Sequence, residues 1–506
     1  MAAFALSTAA LRNCATQFVK TRFVKARPSL FARCRRGAVT ALVAMSMAPM
    51  VATIGLAVDT ARGYLVKARL SQAIDAAGLA GGRIMSSSTR DDDIRMYFNA
   101  NFPAGYMGAR ITGPTITPSA DGQKITLSAS AVVPTTFLAV AHIENMSVGA
   151  SAEITRQLRP LELVLSMDLS GSMSTTDAGG GLSRLQATRN AATTLVNILF
   201  GNNATNSILK IGLVPWNGKV NVWLAGQAYN SAATTSQTVP TFTNPITNMT
   251  QSTVWFANNS PVPLLSQPQS NWKGCVYERY LADGNSSDDA DIYEGAYTGG
   301  GKTWISAWQP IPTSEGEPTP SGSTHCTLAS GQSNSVDCTP CLSQGITPLT
   351  STKQTVLDAI TNLPSANGDT NQPSGLGWAW RMLTPGAPFT ESTSNLQTTQ
   401  QAIVLLTDGQ NHANYGDAYK SAFGLGSSGQ AGMDARLQTL AANVKAAGVE
   451  IYVIQEGNVS SSLKTLLQGI ASKPNAPYYF YAPDATTLDS AFSQIADHLS
   501  SLRLSQ

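Results

Sequence analysis

Hydrophobic and polar positions divide the chain into three regimes. From Ala38 to Val58 (AVTALVAMSMAPMVATIGLAV), 21 residues pass without a charge. At 1.5 Å per residue such a helix reaches about 30 Å, the hydrocarbon thickness of a bilayer. A transmembrane helix over residues 37–59 is therefore predicted, kinked at Pro49, since prolines are tolerated inside membrane spans. Beyond it Leu65, Leu70, Ala73, Ile74, Ala77 and Leu79 recur near helical spacing, so the helix is expected to run on outside the membrane. Between Asp91 and Pro160 the period falls to two, in Ile125–Val133 and Met146–Ile154, with turn residues between them. Antiparallel strands are predicted there, and residues 60–158 read as a helix followed by a small strand-rich linker domain.

The third regime repeats strand, polar loop, helix. Leu161–Ser166 leads into Asp168-Leu169-Ser170-Gly171-Ser172 and an amphipathic helix at Arg184–Phe200. Ala402–Thr407 ends in Asp408-Gly409, ahead of a helix around Met433–Ala447 and a strand at Glu450–Ile454. This order predicts an α/β fold over residues 159–500, a doubly wound and mostly parallel sheet. Both aspartates fall at the carboxyl ends of strands, where such sheets hold ligands. After apolar strands at Leu209–Val214 and Val220–Trp223, a long insertion over residues 224–348, rich in Ser, Thr, Asn, Pro and Gly, precedes helices at Thr352–Leu363 and Ser374–Leu383. Each doubling of loop length costs only about 0.6 kcal/mol, so the core tolerates it. Trp255, Trp272, Trp304 and Trp308 predict that the insertion is an ordered or partly ordered subdomain.

With 506 residues, 42% hydrophobic and 13% charged, the chain has room for about three domains, and is neither disordered nor collagenous. Its net charge of +2 hides an asymmetry: eight of the 33 basic residues lie in residues 1–36, which carry no acid, leaving 25 basic against 31 acidic groups elsewhere. An acidic body argues against nucleic acid as a partner. Arg33, Arg35 and Arg36 stand just before the uncharged span, so the positive-inside rule keeps residues 1–36 as a basic cytoplasmic segment. The expectation is a single-pass membrane protein with its bulk outside the cytoplasm. A cleaved secretory signal and an organellar presequence in residues 1–36 are the alternative readings, and neither removes the export of the body.

Asp168, Ser170, Ser172 and Asp408 offer carboxylate and hydroxyl oxygens and no soft ligand, a donor set for Mg2+ or another divalent cation such as Ca2+ or Mn2+. The plainer alternative is that Asp168 and Ser170 cap a turn or a helix. Four exported cysteines, Cys275, Cys326, Cys338 and Cys341, predict two disulfides in any of three connectivities. Zinc held by His325, Cys326, Cys338 and Cys341 is the competing reading, while Cys14 and Cys34 are expected as free thiols. Gly299-Gly300-Gly301-Lys302-Thr303 lacks the earlier glycine of a phosphate loop, Ala296 standing in its place, and reads as a turn. Ser286–Asp291 reads as a solvated acidic turn and His412 as an exposed loop residue.

The DxSxS run at Asp168–Ser172 with Thr407-Asp408-Gly409 resembles the metal-ion-dependent adhesion site (MIDAS) of von Willebrand factor A (vWA) domains. That family uses one more oxygen, a threonine from a middle loop, and Gly368-Asp369-Thr370 offers it at Thr370. The resemblance implies that Ser170, Ser172 and Thr370 bind the cation directly or through water, that Asp168 and Asp408 hold its waters, and that the sixth position accepts an acidic side chain of a protein partner. Residues 33–85, with RRGAV, one span, an Asp and LSQAIDAAGLAGG, resemble the N-terminal segment of TadG-like proteins of the tight-adherence (Flp) pilus machinery. A helix followed by a short sheet is also a pilin-like α+β layout. Were Gly37 a pilin processing site, Leu42 would stand where pilins carry Glu, so such processing is not expected. Together these imply a pilus assembly or anchoring component that is not an enzyme. A vWA adhesin unrelated to pili and a metal-dependent hydrolase are the alternatives.

Overall fold

The computed structural model describes residues 35–502 apart from 84–88, 120–123, 156–158, 178–179, 245–248, 281–289, 300–301, 314, 316–338, 394, 396, 413–415, 421, 425–427 and 458–459. The expectations for Cys14, Cys34, His325, Cys326 and Cys338 lie outside the described residues. The chain forms two compact units, residues 1–156 and 157–506.

In the first unit a 49-residue helix, α1 (Arg35–Arg83), runs through Pro49. It is followed by α2 (Arg90–Asn101) and an antiparallel sheet in the order β1 (Arg110–Pro118), β2 (Lys124–Pro134), β3 (Asn145–Thr155). Strict alternation along β2 buries Ile125, Leu127, Ala129, Ala131 and Val133 in one core with Val66, Leu70, Ala73, Ile74 and Ala77 of α1. The predicted helical stripe is corrected at its ends. Leu65 and Leu79 are exposed and Val66 is buried, because at 100° per residue the former fall off the face that 66, 70, 73, 74 and 77 share. Neither β1 nor α2 is visible as a hydrophobic pattern. Gly113-Pro114 breaks β1, whose register with β2 shifts between Thr112 and Thr115, and α2 buries only Ile94 and Phe98. Leu42, Met45, Met50, Val51 and Ile54 of α1 are exposed. Among the described residues, no helix is long and apolar enough to cross a membrane.

The second unit is built on a six-stranded sheet in the order β10-β5-β4-β11-β12-β13. Its strands are β4 (Leu161–Asp168), β5 (Leu209–Trp216), β10 (Thr347–Thr350), β11 (Gln400–Thr407), β12 (Glu450–Glu456) and β13 (Tyr479–Ala482). All neighbours are parallel except β10, an antiparallel edge. Every residue of central β4 is buried, as befits a strand covered on both faces. The helices are α3 (Arg184–Phe200), α4 (Lys353–Thr361), α5 (Gln372–Leu383), α6 (Gln430–Ala446), α7 (Ser461–Ile470) and α8 (Ala485–Leu502), with α3 packed on α8 and α5 laid across β4, β5 and β11. Residues 220–223, expected as a strand, make only single bridges, Val220 to Trp216 and Asn221 to Cys275.

The insertion holds two hairpins, β6 (Thr235–Thr243) with β7 (Thr250–Phe256), and β8 (Tyr297–Gly299) with β9 (Lys302–Trp304). It enters and leaves the domain side by side, Leu224 bridging Ile346. Its described residues share the main core: Val262, Leu264, Trp272, Val276 and Trp308 pack there, and Trp308 lies 5.0 Å from Trp378 of α5. Cys275 and Cys341 form a disulfide, which settles one pair of the open connectivity and removes Cys341 from the zinc reading. The acidic run is corrected at its end: Asp291 is buried and pairs with Arg436 of α6 at 3.0 Å.

Candidate metal centre

The loops at the carboxyl ends of β4 and β11 converge, since parallel strands in register place their ends together, and the loop between α4 and α5 joins them. Leu406 of β11 pairs with Met167 of β4, so Thr407 and Asp408 arrive level with Asp168 and the loop after it. The loop carrying Thr370 is stitched on by backbone bonds from Gly171 N to Gly368 O (2.8 Å), Asn367 N to Leu169 O (2.8 Å) and His412 N to Thr370 O (2.9 Å). Asn371 caps α5 by accepting from Ser374 N, which ends the loop immediately after Thr370.

All five sequence-predicted oxygens come to this place. Asp168 is buried. Its Oδ1 accepts from Ser170 N (2.7 Å) and its Oδ2 from the Thr407 hydroxyl (2.7 Å). Ser170 Oγ and Ser172 Oγ lie 3.1 Å apart, and Ser172 Oγ donates to Asp408 Oδ1 at 2.5 Å. Thr370 faces the same space: a Cβ added at Gly409 would stand 3.4 Å from its hydroxyl and 3.6 Å from that of Ser172. A side chain after Asp408 would thus stand against the hydroxyls of both Thr370 and Ser172.

Two carboxylates sit in this buried ground. Burial, and next the charge of Asp408, push Asp168 up to about 7, while Asp408 is itself raised by burial, against hydrogen bonds from Ser172 and Arg184. A hard dication relieves that repulsion, and an all-oxygen, hydroxyl-rich set suits one. The residues present thus fit a divalent cation. Among the described residues no group of three or more His, Cys, Asp or Glu side chains is placed to hold a metal ion.

Two contributors escaped the sequence reading. Thr407 holds Asp168, and its signal was available: two neighbouring strands ending in aspartate need a donor between them. Arg184, first residue of α3, places Nη1 2.6 Å from Asp408 Oδ2. His412 is half exposed, as expected of a loop residue, but its Nδ1 lies 2.8 Å from Asp369 Oδ1, bracing the residue before Thr370.

A parallel sheet carrying this oxygen set at its switch point is the architecture of a vWA domain, and residues 344–494 match the family model described as von Willebrand factor type A domain. That match begins in the last residues of the insertion, while β4 and its DxSxS loop lie before the insertion and the sheet joins the halves. Residues 37–83 match the model described as putative Flp pilus-assembly TadE/G-like. The chain thus joins a segment that matches a TadE/G-like pilus-assembly model to one that matches the vWA model. No curated protein matches it. Among solved structures, proximal thread matrix protein 1 from the mussel byssus is 13% identical with a TM-score of 0.31, covering 68% of this chain and 47% of that one. The vWF domain of the type V pili tip protein Mfa5 from Porphyromonas gingivalis is 10% identical (TM-score 0.34; 69% and 97% covered). A mutant of the PilB minor pilin from Streptococcus sanguinis is 12% identical (0.31; 78% and 79%). The chain spans about half the length of the mussel protein, and likeness at this level does not bear on mechanism.

Proposed function

We propose that this protein is a membrane-anchored component of pilus assembly or anchoring, whose vWA domain binds a divalent cation and, through it, an acidic side chain of another pilus or envelope protein. The observation that carries the reading is the convergence of Asp168, Ser170, Ser172 and Asp408, linked by hydrogen bonds, with Thr370, whose hydroxyl lies beside that of Ser172 at Gly409. In this proposal the hydroxyls of Ser170, Ser172 and Thr370 face the cation and the two carboxylates balance its charge. Neutral ligands leave a bound dication able to accept a further carboxylate. The role is binding, not catalysis. The uncharged stretch from Ala38 to Val58 and its exposed apolar side chains support residues 37–59 as the inner-membrane anchor, with residues 1–36 cytoplasmic and the bulk outside.

The test is capture of pilus and envelope proteins by the purified full chain with Mg2+, with EDTA, and with Asp168→Ala and Asp408→Ala. Capture is expected with Mg2+, and loss of at least about tenfold in the other three conditions, roughly 1.4 kcal/mol or more. Equal capture in all four would remove the metal from the interaction.

A further inference from the structure

The loop between β2 and β3 is apolar where water should favour polar residues. Residues 135–144 read TTFLAVAHIE. Val140 is 87% exposed, Ile143 50% and Phe137 42%, gathered within seven residues around a short 3-10 turn (Leu138–Ala141). A cluster of this kind on a small domain marks a surface that something covers.

Its position says what. The backbone N–H groups of Thr136, Phe137 and Leu138 all donate to the carboxylate of Asp59, at 2.8 to 3.2 Å, and Asp59 is buried by them. One turn earlier Phe137 packs so closely on Gly55 that no Cβ would fit there. Gly55 and Asp59, four residues apart, share one face of α1, so the loop is fastened to the end of the uncharged stretch. On other faces of that stretch Leu42, Val43, Met45, Met47, Met50, Val51, Ile54 and Leu56 are exposed, and a helix apolar around most of its circumference belongs in lipid or in a protein core. Arg62, one turn further on, donates to Thr136 Oγ1 (2.7 Å) and to the carbonyl of exposed Met107 (3.1 Å). A cation at this level is where a headgroup layer begins.

We propose that the β2–β3 loop is a second membrane contact, its Phe137, Val140 and Ile143 seated in the lipid interface beside α1. The inference rests on the reading that α1 crosses the bilayer. Asp59 then has a definite role, for it satisfies three backbone donors that the interface would otherwise leave unpaired, and so lets an irregular loop enter it. The loop would fix the height and tilt of the exterior unit, which a lone helix leaves free to rotate.

Site-specific photocrosslinking of the full chain in phosphatidylethanolamine and phosphatidylglycerol vesicles tests this, with p-benzoylphenylalanine at Val140, at Val51 of α1, or at exposed Ser151, about 20 Å further along β3. Mass spectrometry should find lipid adducts at 51 and 140 and none at 151. Lipid adducts at 51 alone would overturn the loop contact while leaving the anchor in place. Absence of lipid adducts at both would overturn both. A protein adduct at 140, to a second copy or another component, would assign the patch to an interface between proteins and overturn the lipid assignment.

Discussion

Arg184 gives Asp408 a charged partner within the protein. Its guanidinium lies against Gly457, where φ is 78° and where a Cβ would collide with it. Removing one member of a buried ion pair strands the other, at roughly 3 kcal/mol. Arg184→Gln is therefore expected to lower the melting temperature strongly in EDTA and much less in saturating Mg2+, where the dication replaces the lost charge. Equal losses would show that the cation does not neutralise Asp408. Glu456 at the end of β12 makes a pH prediction. Burial pushes it up to about 8, opposed by the Thr188 hydroxyl and supported by the charge of Asp408, whereas an unfolded glutamate ionises near 4.3. The folded form keeps the proton, so this group's contribution is full below about pH 4 and drains by up to roughly 1.4 kcal/mol per unit until about pH 8. Glu456→Gln mimics the protonated carboxyl. Followed by urea denaturation in chelator, its stability should gain on the parent's between pH 5 and 8.5, and parallel pH curves would refute the assignment. Neither residue was legible from sequence. Asp168, Ser170 and Ser172 stand within five positions and announce themselves, but Arg184 meets its partner across 224 residues and looks like any first-turn residue.

At the scale of elements, alternation and apolar runs foretold what is buried on one face or on both: β2, β3, β4, β11 and β12. Patterns failed where burial is partial, as in β1 and α2, and where polar residues do core work. Glu278, in the Ser- and Thr-rich insertion, is buried and accepts from Ser374 Oγ, Trp378 Nε1 (2.9 Å) and Arg381 Nη1 (3.2 Å), all on α5. Arg381 in turn lies over the rings of Trp308 and Trp378. No periodicity reveals such a joint, because each partner looks like a surface residue until the other is known. Glu278→Ala would leave Arg381 short of its strongest partner, at a cost of roughly 3 to 5 kcal/mol, read as a shifted urea midpoint. A loss below about 1 kcal/mol, the range of an exposed pair, would mean the joint is dispensable.

For the whole molecule the prediction is topological. Under the proposed anchoring, eight positive charges before an uncharged stretch would put the two ends of α1 on opposite sides of a membrane. An alkaline phosphatase fused after Gly82 should be active and one fused after Arg36 inactive; the reverse result would invert the protein and remove the oxidising surroundings of Cys275 and Cys341. The order of segments in the chain adds a mechanical consequence. The segment leading from the first unit ends at β4, and the Asp168 loop leaves the other end of that same strand. Under the proposed function, a pull between anchor and partner would travel along one strand about 26 Å long. That strand lies between parallel neighbours, paired with β5 over its whole length and with β11 from Leu161 to Met167. Tension so directed loads both ladders in shear, all rungs together, instead of opening them one at a time like a zipper.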